Sequence, residues 1–136
     1  IERGINNSEI HNLLFDNSSY NRLLLLGKAL QNLKILEQYK TSYITLSQDE
    51  LNAFGHQKGD TEGIVNYGLS IKGIDFTAIF IEHKEEGIIK ISFRSQGDFD
   101  VNQFARNHFN AAGGKSFLSL DETVQQFIAI LALEKK

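Results

Sequence analysis

A nearly continuous apolar run, Phe76-Thr77-Ala78-Ile79-Phe80-Ile81, is followed after the turn-like Lys84-Glu85-Glu86-Gly87 by residues 88–93, in which apolar and polar side chains alternate. The first run reads as a buried strand. The second reads as its partner, pleated so that one face is apolar and the other polar. Charge and glycine between them supply the turn, so the centre of the chain is expected to be an antiparallel hairpin. Any fold for these 136 residues must be built around that pair.

Helical signals lie on both sides. Asn6 and Glu9 have capping spacing ahead of Ile10, Leu13 and Leu14, and Asn17-Ser18-Ser19 is expected to break that first helix. Over 20–36, Leu23, Leu26, Leu30 and Leu33 recur at steps of three and four, which predicts a long connecting helix. Leu24 and Leu25 widen its stripe, as suits a helix held between two bodies. Residues 41–46 are β-branched and aromatic and predict a strand, and Ser47-Gln48-Asp49-Glu50 is a capping box opening a short helix to about Phe54. A loop over 55–60, a helix over 62–69, a helix over 100–109 and a last strand over 115–118 follow. A second box, Ser119-Leu120-Asp121-Glu122, begins a helix with Val124, Phe127, Ile128 and Leu131 on one face. The expected class is α+β, a mixed sheet with helices packed on it.

The 14 Lys and Arg against 17 Asp and Glu leave a formal charge of -3, so no global basic field gathers nucleic acid. A polyanion needs a local patch. Neither a bilayer-spanning apolar run nor a signal peptide is evident, and the expectation is a soluble, cytoplasmic protein. Without cysteine there is no disulfide frame, and His11, His56, His83 and His108 are scattered without ligand spacing. The chain starts at Ile1 and contains neither Met nor Pro, although Pro averages about 5% of residues. These absences lead us to expect a piece of a larger protein.

Arg94 and Ser95 stand at the exit of the second hairpin strand, and Asn110-Ala111-Ala112-Gly113-Gly114 follows the helix after it. An arginine fork can grip phosphate in two places, and glycine-rich backbone can face an anion. Position alone favours a surface arginine over the sheet edge and a helix C-cap at the glycines. Lys115 and Ser116 after the glycines lack the spacing of a Walker A loop. The carboxylates of Gly59-Asp60-Thr61-Glu62-Gly63 read first as helix-dipole partners and only second as an acid-base pair. His108 reads as a capping or half-buried residue.

Taken in order, Gly59-Asp60-Thr61-Glu62-Gly63-Ile64-Val65-Asn66-Tyr67, Phe93-Arg94-Ser95, Asp100-Val101-Asn102 and Ala111-Ala112-Gly113-Gly114 resemble the C-terminal substrate-binding domain of DHH-family phosphoesterases. The likeness is greatest to the nanoRNase branch, oligoribonucleases and pAp phosphatases once called exopolyphosphatase-related. It spans about 41–131. It implies that residues 1–40 are the end of a catalytic domain with its connecting helix, and that 41–136 hold substrate. By resemblance, Arg94 and Ser95 bind the phosphate end, while Asn110, Ala111, Ala112, Gly113 and Gly114 close over the terminal nucleotide. The family's upstream domain holds two divalent cations, usually manganese; its Asp-His-His motif is not in this sequence. This chain is therefore expected to hold neither catalytic nor metal-binding residues and to be inactive alone. The family's Gly-Gly-Gly-His stretch also has no counterpart between Asn110 and Ala111. Either it was lost or a loop is missing from this sequence, and we expect the second.

The implied whole is a manganese-dependent phosphoesterase acting on short single-stranded oligonucleotides, pAp or both, with the upstream DHH domain as partner, no membrane, and a homodimer left open. One rival is a non-catalytic nucleotide-binding or regulatory module. Another is an assembly domain using the leucine-rich helix as its interface.

Overall fold

The computed structural model describes residues 17–55, 59–61, 63–97 and 115–135. They form helices α1 (Asn17–Asn32), α2 (Gln48–Ala53) and α3 (Leu120–Glu134) and strands β1 (Lys34–Leu36), β2 (Thr41–Leu46), β3 (Phe76–His83), β4 (Ile88–Ser95) and β5 (Lys115–Ser116). Two 3-10 segments, Glu37–Tyr39 and Ile64–Ser70, complete them. The sheet runs in the order β1-β2-β3-β4-β5, antiparallel except where β2 lies parallel to β3. The class is the α+β expected.

The central hairpin is present and its register is continuous, from Phe76 opposite Ser95 to His83 opposite Ile88. Its turn closes with Gly87 at φ 67°, a left-handed conformation that glycine adopts without a Cβ clash. The two strands differ in pattern because they differ in cover. On one face Phe76, Ala78 and Phe80 join Ile89, Ile91 and Phe93 beneath Val124, Phe127 and Leu131 of α3. On the other, Ile79 and Ile81 join Ile44 and Leu46 beneath Leu25 and Ala29 of α1, Leu51 of α2, and Ile64 and Val65. Helices thus bury both sides of β3, whose residues 76–81 are apolar apart from Thr77, a buried hydroxyl with its own hydrogen-bond partner. In β4, Lys90, Ser92 and Arg94 are exposed and the residues between them are buried.

Phe127 is the hub of the first layer. Its ring lies 5.1 Å from Phe80, 5.9 Å from Phe76, 6.1 Å from Phe93 and 6.3 Å from Tyr43, distances at which aromatic pairs attract. Both predicted capping boxes are formed, Ser47 with Glu50 and Ser119 with Glu122, each joining side chain and backbone in both directions. They fix where α2 and α3 begin.

Four expectations are corrected. Asn17-Ser18-Ser19 is itself helical and opens α1; the unpartnered N–H groups of a first turn make polar residues as fit to open a helix as to end one. The connecting helix stops at Asn32, and Lys34–Leu36 pairs with β2 as an edge strand. Its inward residues are Leu25 and Ala29, whereas Leu23 is 65% exposed and Leu30 is also exposed. Four consecutive leucines, 23–26, satisfy a helical period on either face, so period alone could not choose. The helix expected over 62–69 is a 3-10 segment, Ile64–Ser70. The expected helices before residue 17 and over 100–109 lie outside the described residues.

Candidate anion-binding site

Arg94 is placed by the hairpin register. It stands opposite Thr77, and Ser95 stands opposite Phe76 at the last rung of the β3–β4 ladder. Gln96 pins the strand end, its backbone N–H bonding to the Asp75 carbonyl at 2.9 Å and its side-chain amide to the carbonyls of Ile74 and Leu69 at 2.8 and 3.3 Å. Gly97, at φ 79°, stands in a turn just past the strand. The Arg94 guanidinium is exposed and donates to the Phe93 carbonyl at 2.7 Å. Among the described residues it makes no ion pair. Ser95 is half-buried beside it.

Behind this strand end the 3-10 segment is seated on the sheet through buried hydroxyls. Ser42 and Thr77 share a hydrogen bond of 2.7 Å, and Ser42 donates to the Gly68 carbonyl at 3.1 Å. The contact needs glycine: a Cβ on Gly68 would sit 2.0 Å from Thr77 Oγ1. At the other end of the segment Gly63 takes φ 80° at the N-cap. Asp60, nearby, is only 8% exposed. Asp60, Gly63, Ile64 and Tyr67 line a cleft of about 390 Å³ with Arg22, Leu23 and Leu26 of α1. Sequence reasoning did not single out Arg22 or this cleft.

Glu62, His108, Asn110, Ala111, Ala112, Gly113 and Gly114 lie outside the described residues. Of the seven expected substrate contacts, Arg94 and Ser95 are therefore the two with a described position. Among the described residues no three His, Cys, Asp or Glu side chains gather as ion ligands. Nor, among the described residues, is any helix long and apolar enough to cross a membrane.

Electrostatic tuning is found away from Arg94. Burial, the largest single influence, pushes the Glu50 carboxyl up. Hydrogen bonds from the Ser47 backbone, Asn32 and the Ser47 side chain, with the Lys28 charge, outweigh it and hold Glu50 below its ordinary value. Burial and, secondly, Asp121 raise the Tyr43 phenol.

Residues 37–117 match the family model of the DHHA1 domain. The chain belongs to the DHHA1 domain family. The match bears out the resemblance to a DHH-associated C-terminal domain. The DHHA1 chain is also similar to the crystal structure of an exopolyphosphatase-related protein from Bacteroides fragilis, at 34% identity and a TM-score of 0.79. That similarity covers 97% of this chain and 40% of the solved one. No curated protein matches. Within the DHHA1 sheet, one further relationship escaped the sequence reading: Lys115 of β5 stands opposite Lys90 of β4.

Proposed function

We propose that this DHHA1 domain is the substrate-holding part of a DHH-family phosphoesterase that cleaves short oligonucleotides, pAp or both. The observation that carries the reading is Arg94: a guanidinium exposed at the open end of β4, without a carboxylate partner among the described residues. A planar fork in that position suits the terminal oxygens of a phosphate, with the Ser95 hydroxyl available as a further donor. The catalytic half is then an upstream DHH domain that binds the divalent cations, manganese in this reading. This chain's part is to bind and orient. Holding the reacting phosphate at a fixed place accounts for much of the rate gain in such reactions.

The test uses the intact protein with manganese and either a short oligonucleotide or pAp. Arg94→Ala is expected to raise KM for both, and the 136-residue chain alone is expected to give no turnover. Hydrolysis by the isolated chain, or an Arg94→Ala protein with unchanged KM, overturns the reading. Ligand binding by an intact protein that hydrolyses neither substrate would favour a regulatory module instead.

A further inference from the structure

The open face of β4 carries more than Arg94. Lys90, Ser92 and Arg94 alternate with buried residues and point to one side of the sheet, all three exposed. Lys115 of β5 is exposed and stands directly across from Lys90 on that side. Like charges placed opposite one another in a ladder destabilise it. The sheet gains nothing from this pair, and neither lysine makes an ion pair among the described residues. Phe117, two residues after Lys115, is 77% exposed, and it lines a hollow of about 230 Å³ whose walls also include Ile88 and Ile89, the residues just before Lys90, and Glu82, His83 and Lys84 of the hairpin. A line of cations ending at a bare aromatic ring is the composition that tracks a single strand, charge for the phosphates and a ring face for a base.

We infer that Lys90, Lys115 and Phe117 form a second subsite for the body of a single-stranded oligonucleotide whose terminal phosphate is at Arg94. The inference rests on the reading of Arg94 given above. Four residues of strand separate Arg94 from Lys90, about 13 Å. A ligand anchored at Arg94 must carry phosphates well beyond its first linkage to reach the lysines. A dinucleotide and pAp do not, so the subsite selects for chain length.

The experiment measures binding of a dinucleotide and a heptanucleotide to the intact protein by fluorescence anisotropy, in EDTA so that nothing is cleaved. The double variant Lys90→Gln, Lys115→Gln is expected to weaken the heptanucleotide roughly tenfold or more and to reduce its salt slope by about 1.4. The dinucleotide should be unchanged. Phe117→Ala is expected to weaken the heptanucleotide roughly fivefold or more. Lys90→Arg with Lys115→Arg should restore binding, and melting curves check that each variant is folded. An unchanged heptanucleotide, or equal losses for both lengths, overturns the subsite. So does a polyphosphate chain that binds as tightly as the heptanucleotide while Phe117→Ala has no effect. Arg94→Ala separates the two readings: it should weaken both ligands, and if it weakens neither, the phosphate grip fails while the length dependence still judges the lysines.

Discussion

Gly68 lies so close above Thr77 that a single added carbon would fall 2.0 Å from the threonine hydroxyl. Ser42 Oγ, hydrogen-bonded to that same hydroxyl, would be 2.6 Å away, so the added methyl meets both members of the buried pair. Gly68→Ala is therefore expected to destabilise the protein by about 1–3 kcal/mol, the usual range for overpacking. Denaturant unfolding checks it. Combining the change with Thr77→Ala should recover part of the loss, because one of the two obstructing hydroxyls is then gone.

Arg94 separates binding from stability. It is exposed and its described hydrogen bond runs to the neighbouring Phe93 carbonyl, so Arg94→Lys should change unfolding free energy by less than about 0.5 kcal/mol. A lysine keeps the charge but not the two-pronged geometry. Under the proposed function its KM should resemble that of Arg94→Ala more than that of the unaltered protein. Full recovery by lysine would mean that charge alone matters there.

Phe127 touches four other rings and is fully buried. Removing its ring leaves a void that α3 and the sheet cannot close together. Phe127→Ala is expected to cost about 3–5 kcal/mol, a large share of the roughly 5–15 kcal/mol that holds a domain folded. The melting temperature should fall accordingly, and Phe127→Leu should recover much of it.

Glu50 gives stability a direction in pH. Its folded-state pKa is below its unfolded one, so between the two values the unfolded chain binds more protons and stability rises with pH. The contribution is fully present above the ordinary glutamate value and is lost as pH falls through the folded value. Comparing unfolding midpoints of the unaltered protein and Glu50→Gln across acidic pH should show a gap that is widest near neutrality and closes on acidification. A gap independent of pH would contradict the assignment.

Much of this architecture was legible because it rests on local chemistry. Ser47 with Glu50 and Ser119 with Glu122 are three-residue relationships, and the hairpin of β3 and β4 is a pattern of period and turn. What was misread depends on distant partners. Leu23 and Leu30 were placed inward because nothing local says that Ile44 and Leu46 meet Leu25 and Ala29 instead. Lys34–Leu36 reads as a helix end until β2 is there to pair with it. The site divides the same way. Arg94 could be found from its place after an alternating strand, whereas the pairing of Lys90 with Lys115 exists only once β5 is docked. The alternation of Ile88 to Phe93 did carry half of that signal, since it sets Lys90 and Arg94 on one side.

The turn between β3 and β4 lies at the far end of the hairpin from Arg94, yet it decides which way that side chain faces. Side chains of a strand change sides at every residue. Shortening 84–87 by one position while the ladder stays paired would invert β4, turning Phe93 out to water and driving Arg94 against Phe76 and Phe127. Loop length at the distal tip thus reaches the opposite end of the hairpin whenever a change in it is taken up as a register slip, which moves the exposed cations indoors.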